Sequence, residues 1–268
     1  MTFLDAVVAR QRETGSMLCV GLDPDPSRFP PGFADDVDGI IAFNRLVIDA
    51  TRDLACCVKP QFAHYAARGA ERALESTIEY AHAAGLPVLL DVKRSDIGST
   101  ADFYAVEAFD RYGADAATVN PYLGTDALES FLKRTDRGVV ILCRTSNPGG
   151  ADLQDLELQG GDKLYEHVAR LASTEWNTHG NVMLLVGATR PAELRRVREI
   201  VGSMGLLLAG VGAQHADVRA MMEAGKGGPL IINSSRGVTY PAFAAGAAPS
   251  SLVREAATRT MYEINQFL

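Results

Sequence analysis

The chain has 268 residues, of which 47% are hydrophobic and 22% are charged, and its net charge at pH 7 is −7. A chain of this length can bury a large core within one domain, and its composition excludes intrinsic disorder, collagen and a disulfide-stapled scaffold. The acidic net charge argues against nucleic acids and anionic membrane surfaces as partners, but it leaves room for a local basic pocket that binds a phosphate.

The sequence predicts neither a membrane span nor a targeting segment. No apolar run reaches the roughly 18–20 residues that a membrane-spanning helix needs. The first residues carry Asp5 and lack a basic block ahead of an apolar one, so they predict an amphipathic helix and not a signal peptide. The cysteines lie in apolar, strand-like runs without a C-x-x-C pair, which is typical of free, buried thiols in a cytoplasmic protein. They are Cys19, Cys56, Cys57 and Cys143.

Eight short apolar runs alternate along the chain with stretches of helical periodicity. The runs are continuous, as expected for parallel strands that are covered on both faces. The predicted strands are 17–23, 55–60, 87–93, 116–121, 138–146, 181–188, 205–213 and 229–236. The predicted helices between them are 40–54, 66–84, 101–112, 127–133, 163–176, 191–201 and 216–223.

This alternation predicts an α/β fold, a single-domain TIM (β/α)8 barrel over residues 1–268. A doubly wound open sheet is the alternative. That fold has fewer strands and a glycine fingerprint after the first one, where this chain reads V-G-L-D-P-D-P. Two long segments, 148–161 and 237–251, are expected to be surface loops or lids.

Polar side chains follow seven of the eight predicted strands, at the end where barrel enzymes build their active sites. Each one alone could be a turn residue or a helix cap, but their convergence on one rim predicts a site. In chain order they are Asp23, Lys59, Asp91, Lys93, Asn120, Arg144, Thr145, Ser146, Gln214, Ser234, Ser235 and Arg236.

The third predicted strand carries the sharpest signal. Alternation along a strand directs Asp91 and Lys93 to the same side, where opposite charges are costly unless they pair or function. Lys59 can reach Asp91 from the neighbouring strand, because strands in a barrel lie about 4.8 Å apart. Together with Asp96, these groups would form an alternating charge array that keeps Lys93 protonated and oriented. A structural ion pair, with Asp96 or Ser99 as a helix cap, is the alternative.

The segment D-V-K-R-S-D-I-G-S-T, residues 91–100, resembles the D-x-K-x-x-D-I-x-x-T signature of the orotidine 5'-phosphate decarboxylase family. Five other segments also match the family, and they occur along the chain in the family's order: V-G-L-D-P, V-K-P, R-T-S-N-P-G-G, G-V-G-A-Q and N-S-S-R-G-V. The third of these is similar to the T-S-N-P-G motif of the second bacterial subgroup. Two positions depart from the family pattern, His215 in place of glycine and Ala209 in place of proline, and both concern the shape of one loop.

The resemblance implies a cofactor-free and metal-free enzyme that removes CO2 from orotidine 5'-monophosphate to give UMP, the last step of de novo pyrimidine biosynthesis. It implies that Lys93 is the proton donor and that the protein is a homodimer, in which Asp96, with Ile97 and Thr100, enters the partner's site. The other residues that it implies are Asp91 and Lys59 in catalysis, Asp23 and Lys59 at the ribose, Ser146 at the pyrimidine edge, and Gln214 and Arg236 at the phosphate.

The residue types fit that chemistry, because loss of CO2 leaves a carbanion in the ring plane that needs electrostatic stabilisation. Three alternatives remain: a magnesium-dependent sugar-phosphate lyase or decarboxylase, a Schiff-base aldolase, and a non-catalytic nucleotide-binding protein. Lys59 argues against the first, because its charge would compete with the metal. The carboxylates beside Lys93 argue against the Schiff-base aldolase, because they keep this lysine protonated. The presence of Asp91, Lys93 and Asp96 argues against a non-catalytic nucleotide-binding protein.

Overall fold

Eight parallel strands form one sheet in the computed structural model, which describes residues 2–210, 217–244 and 246–268. The order of the strands in the sheet is β2-β1-β8-β7-β6-β5-β4-β3, and parallel bridges from Val58 to Val88 and from Gln61 to Asp91 join β2 to β3. The predicted (β/α)8 barrel is therefore confirmed. The strands are β1 Leu18–Leu22, β2 Cys57–Pro60, β3 Leu89–Arg94, β4 Ala116–Val119, β5 Gly138–Arg144, β6 Val182–Gly187, β7 Leu206–Ala209 and β8 Leu230–Ser234.

Helices alternate with the strands and cover the outside of the barrel, which is why the strands carry continuous apolar runs. The α-helices of the described residues are α1 Phe3–Thr14, α2 Val37–Thr51, α3 Phe62–Ala66, α4 Glu71–Ala83, α5 Gly98–Val106, α6 Thr125–Leu132, α7 Ala151–Gln154, α8 Leu164–Leu171, α9 Pro191–Val201, α10 Val218–Gly225, α11 Arg236–Thr239 and α12 Pro249–Asn265. Short 3-10 helices lie at Pro26–Arg28, Pro121–Leu123 and Pro148–Gly150, and π-helical turns at Glu107–Arg111 and Ala172–Trp176.

The core has two parts, one between strands and helices and one inside the barrel. The interior cluster includes Cys19, Leu89 and Leu207, and α1 packs Phe3 and Val7 against it. A side-chain carbon at Gly138, the first residue of β5, would lie only 2.8 Å from Phe3 Cδ1. Helix α1 therefore closes the amino-terminal end of the barrel and leaves the carboxyl-terminal end for a cavity.

Several predicted element bounds need correction. The predicted helix 66–84 begins only at Glu71, as α4, because α3 ends at Ala66 and Gly69 takes a positive φ of 60° between the two helices. The segment 237–251 is not all loop, because it contains α11 and the start of α12, a helix that was not predicted. The segment 148–161 likewise contains α7, and the last residues of the predicted strand 205–213 lie outside the described residues.

The cysteines are buried and form no disulfide, as predicted. Burial raises the pKa of Cys143 to about 12, so this thiol stays protonated and unreactive near neutral pH. No helix within the described residues has the length and apolar character needed to cross a bilayer.

Candidate active site

A cavity of about 340 Å³ opens at the carboxyl-terminal ends of the strands, where the active site of a parallel barrel is expected. The ends of seven strands contribute to it, so the predicted convergence of polar side chains on one rim is confirmed in large part. The lining residues are Asp23, Lys59, Asp91, Lys93, Thr145, Ser146, Asn147, Leu185, Gly187, Ala209, Gly210, Asn233, Ser235 and Arg236.

Asp91 lies between two lysines at the floor of this cavity. Lys59 Nζ donates a hydrogen bond to Asp91 Oδ2 across 2.8 Å, and Lys93 Nζ donates to Asp91 Oδ1. The Lys59 and Asp91 side chains are each about 5% exposed, whereas that of Lys93 is 41% exposed and faces the cavity. The predicted contact between neighbouring strands is therefore confirmed, and the more accessible lysine is the one that a ligand can reach.

The two buried partners hold each other in their charged forms. Burial alone would lower the pKa of Lys59, but the charges of Asp91 and Asp23 outweigh it and raise that pKa above its usual value. Burial likewise would raise the pKa of Asp91, but Lys59 and Lys93 outweigh it and hold that pKa well below its usual value. Both groups therefore remain ionised across the physiological pH range.

The described lining of the cavity carries a positive charge overall. Lys59, Lys93 and Arg236 give three positive charges, and Asp23 and Asp91 give two negative ones, which leaves a net charge of +1. In a chain whose net charge is −7, this cavity is a local basic pocket that suits an anionic ligand.

The backbone at Lys93 departs from the regular strand that the sequence predicted. Lys93 has a φ of 46°, a conformation that only this non-glycine residue adopts within the described ranges, and the register between β3 and β4 shifts between Leu90 and Arg94. Asp91 and Lys93 do meet, but at a bulge and not through regular strand alternation. Backbone strain of this kind persists only where the surrounding structure enforces it.

Asp23 follows β1 and carries an oxygen that is free to bind a ligand. Its Oδ1 atom is buried but accepts no hydrogen bond from the described residues. The backbone around it is held firmly, since Tyr240 donates to the carbonyl of Asp23 across 3.0 Å and Tyr65 donates to that of Leu22 across 3.1 Å. A buried carboxylate oxygen without a partner is costly, so its position favours a role as an acceptor for a hydroxyl group.

Ser146 lies in the cavity because the chain after β5 is tied to the barrel rim. Arg144 is completely buried and forms a double hydrogen bond to Asp155, at 3.1 Å from Nε and 2.8 Å from Nη2. Gly187 allows the close approach, because a Cβ there would lie 2.8 Å from Ser146 Cβ. Arg144 was predicted to belong to the polar rim, but it pairs with Asp155 and does not line the cavity.

The end of β8 supplies the remaining polar side chains. Asn233 donates to Ser235 across 3.2 Å, and Gly21 leaves room for Ser235, whose Oγ would lie 1.8 Å from a Cβ at that glycine. Arg236 lines the cavity at the first position of α11. Gln214, which the sequence places beside it, lies outside the described residues, as does His215.

Asp96, Ile97 and Thr100 do not join the cavity of their own chain. Asp96 accepts a hydrogen bond from the backbone of Ile97 across 2.8 Å, and Ile97 is 58% exposed just before α5. Thr100 is exposed on α5 itself. The predicted four-charge array thus reduces to three members within one chain. Asn120, another predicted rim residue, also lies elsewhere, because it caps the 3-10 helix that follows β4.

Thr118 contacts the site but was not predicted from the sequence. It is fully buried in β4, and its hydroxyl donates to Asp91 Oδ1 across 3.0 Å. Threonine is common in strands, so no pattern in the sequence distinguished it. Asn233 was missed as well, although the N-S-S-R motif that contains it was noted.

A larger cavity of about 490 Å³ lies outside the barrel mouth, between the chain after β4 and helix α8. Its described lining contains apolar side chains, among them Leu142, Leu171 and Trp176, and no Asp, Glu, Lys or Arg. It therefore does not suit an anionic ligand. Among the described residues, no cluster of three or more His, Cys, Asp or Glu side chains is placed to hold a metal ion.

Comparisons with known proteins agree on one family. The model of the "Orotidine 5'-phosphate decarboxylase / HUMPS family" matches residues 16–248. A protein of Aromatoleum aromaticum named orotidine 5'-phosphate decarboxylase is 53% identical over 269 aligned positions, which cover 97% of this chain and 99% of that protein. A protein of the same name from Dechloromonas aromatica is 52% identical, with both chains covered completely. The structure of Leishmania donovani OMP decarboxylase has a TM-score of 0.87 at 38% identity and covers 100% of this chain and 98% of its own.

Proposed function

Because the chain belongs to the orotidine 5'-phosphate decarboxylase / HUMPS family, we propose that it is a carboxy-lyase that converts orotidine 5'-monophosphate to UMP and CO2, the last step of de novo UMP synthesis. The observation that carries this function is the Lys59–Asp91–Lys93 chain of ion pairs in the barrel cavity, in which Lys59 and Asp91 are buried and Lys93 is accessible. It supplies a fixed positive charge and, on the exposed Lys93, a proton that a bound ligand can reach, and the reaction needs both.

The positive cavity is matched to a substrate that carries a phosphate and a carboxylate. Arg236 binds the phosphate, since its planar guanidinium can bond two oxygens at once. The free Oδ1 of Asp23 accepts a hydrogen bond from a ribose hydroxyl, to which Lys59 also donates. Ser146 contacts the polar edge of the pyrimidine, and Gln214 joins Arg236 at the phosphate.

The bond between C6 and the carboxylate carbon breaks, and its electron pair stays on C6 in the plane of the ring. The ammonium of Lys93 stabilises that pair and then transfers one proton to C6, which yields UMP and a neutral amine. Water returns a proton to the amine after the product leaves. Since the ring system cannot delocalise an in-plane pair, the rate depends on the preorganised positive charge.

Asp91 has two functions in this scheme. It holds the Lys93 ammonium in place through the ion pair. Its negative charge also lies beside the position of the departing carboxylate. Loss of CO2 would relieve the repulsion between the two.

Asp96 acts in the active site of a second copy, together with Ile97 and Thr100. These residues lie outside the cavity of their own chain, and large apolar side chains on the same segment are exposed: Ile97 is 58% exposed, Phe103 is 73% exposed and Val106 is 45% exposed. Exposed large apolar side chains are a common feature of surfaces that bind another protein. A two-fold homodimer would bury them and bring Asp96 to the partner's Lys93.

A purified-protein assay of UMP formation from orotidine 5'-monophosphate in EDTA tests the function. We expect full activity in the chelator, because the positive charge comes from Lys59 and Lys93. Loss of activity in EDTA, restored by magnesium, would favour a metal-dependent sugar-phosphate enzyme. Trapping of Lys93 by borohydride in the presence of substrate would instead favour Schiff-base chemistry.

A further inference from the structure

The pairing of β3, the strand that carries Lys93, with β4 is interrupted, so backbone groups in β3 need other hydrogen-bond partners. Leu90 pairs with Ala117 in the ladder between β3 and β4, but the next pair is Arg94 with Val119. Between these two pairs lie three residues of β3, 91–93, but only one residue of β4, Thr118. The extra residues form a bulge, and the bulge includes the positive φ of Lys93. Their backbone N–H groups cannot use the regular ladder and need other partners.

The hydroxyl of Thr118 supplies those partners. Its oxygen accepts hydrogen bonds from the N–H groups of Val92 and Lys93, both at 2.9 Å, and it donates its proton to Asp91 Oδ1 at 3.0 Å. A hydroxyl has one proton and two lone pairs, so all its bonding capacity is used. One side-chain group therefore fixes the bulge backbone and the carboxylate that orients Lys93.

The other side of the bulge is fixed independently. Arg94 forms a double hydrogen bond to Glu107, at 2.8 and 2.9 Å, and its guanidinium lies 4.7 Å from the ring centre of Phe62 and 4.6 Å from that of Tyr104. Lys93 is thus held between an anchored Arg94 and the hydroxyl of Thr118. Since Arg94 is anchored without Thr118, removal of the hydroxyl frees the Asp91–Lys93 side of the bulge alone.

We propose that Thr118 is a positioning residue for the decarboxylation: it holds Lys93 and Asp91 in the geometry that proton transfer requires. The proposal rests on the function proposed above for the role of Lys93 itself. Thr118 is completely buried and is not part of the cavity lining, so it acts through these two residues and not by contact with substrate. Its removal therefore lowers kcat and leaves substrate binding nearly unchanged.

The test compares Thr118→Val, which keeps the shape of the side chain but removes the hydroxyl, with Thr118→Ser, which keeps the hydroxyl. We expect Thr118→Val to lower kcat by about 10- to 100-fold with KM within about threefold of wild type, because small displacements of a catalytic group have effects of this size. Thr118→Ser should restore kcat to within about threefold. Thr51→Val is the matched control, since the hydroxyl of Thr51 is equally buried but donates to Val47 O at 2.8 Å, within α2.

Amide hydrogen–deuterium exchange gives a second measurement that does not depend on activity. In Thr118→Val, the Val92 and Lys93 amides should exchange at least about tenfold faster than in wild type, with little change in Thr51→Val. If Thr118→Val does not fold, Thr118→Ala takes its place in both measurements.

A kcat near that of wild type in a folded hydroxyl-free variant would overturn the proposal, as would unchanged exchange of these amides or an equal loss in Thr51→Val. Each of these results leaves the decarboxylase function intact. Wild-type protein that fails to convert orotidine 5'-monophosphate would instead contradict the proposed function.

Discussion

Lys59 Nζ lies 2.8 Å from Asp91 Oδ2, across the one seam of the described barrel where isolated bridges replace a continuous ladder. All other neighbouring strands are joined by registers of three or more residue pairs. The ion pair therefore has two consequences. It connects β2 to β3 where backbone hydrogen bonds are sparse, and it places Asp91 so that its second oxygen faces Lys93.

Replacement of Lys59 by methionine should destabilise the fold as well as stop catalysis. The substitution keeps the length of the side chain but leaves Asp91 buried with one cation fewer. Breaking a buried ion pair in this way costs on the order of 3–5 kcal/mol of unfolding free energy. Urea denaturation measures the effect, and Lys226→Met, at an exposed lysine, is the control that should change little. A Lys59→Met protein as stable as the control would mean that the pair does not support the seam.

The stability of the protein should fall in acid through Asp91. Burial tends to raise its pKa, but Lys59 and Lys93 outweigh this and hold the pKa below the usual 3.8. A carboxylate of this kind stabilises the fold fully above its unfolded-state pKa and loses that contribution as the pH falls toward its folded-state pKa. The unfolding free energy, measured by urea between about pH 6 and pH 3, should therefore drop more steeply below pH 4 in wild type than in Asp91→Asn. Parallel curves would show that Asp91 has no such role.

Arg236→Ala should weaken the binding of UMP far more than that of uridine. The guanidinium contact with a phosphate is a charged hydrogen bond worth roughly 1.5–3 kcal/mol, or about one to two decades in Kd. Isothermal titration calorimetry with both ligands measures the difference. Equal losses for the nucleotide and the nucleoside would mean that Arg236 does not bind the phosphate.

If each active site is shared between two subunits, two inactive variants should regain activity when they form mixed dimers. Lys93→Ala and Asp96→Asn homodimers should each be nearly inactive. After the variants are mixed, dissociated and reassociated, random pairing makes half of the dimers mixed, and each mixed dimer has one site with both lesions and one site with neither. About a quarter of all sites should then be wild type in a two-fold dimer.

Activity per site measures this recovery, and mass spectrometry of differently tagged subunits confirms that they have exchanged. If Asp96 serves its own chain, every site retains one lesion and no activity returns. Absence of recovery after proven exchange would contradict the shared site without affecting the decarboxylase function.

The charged part of the site could be predicted from the sequence because it follows from strand order. Lys59 and Asp91 lie near the carboxyl ends of consecutive strands, which are neighbours in a barrel, so their contact required only the fold and the strand spacing. Asp23 and Arg236 also follow strands at this end of the barrel, and both line the cavity. Side chains at the carboxyl ends of the strands converge in any (β/α)8 barrel, and this does not depend on how the helices pack.

Other features depend on contacts that have no local signal. Arg144 also ends a strand, but Asp155 in the following loop draws its guanidinium away from the cavity. Thr118 is important only because β3 bulges opposite it. No residue type in the sequence predicts that Lys93 takes a positive φ. Helix α12 was missed because its Ala- and Thr-containing sequence follows a segment rich in Gly and Ala, and the helix forms by packing against α2.

Decarboxylation of orotidine 5'-monophosphate by wild type and by Lys93→Ala in D2O, followed by NMR at C6 of the product, tests most directly whether Lys93 is the proton donor. We expect wild type to release CO2 and to yield UMP with deuterium at C6, because the exchanged ammonium of Lys93 donates to the carbanion. Lys93→Ala should remain folded and yield no measurable UMP, since both the proton donor and the positive charge are lost. Deuterated UMP formed by Lys93→Ala at a rate near that of wild type would show that Lys93 is not the proton donor.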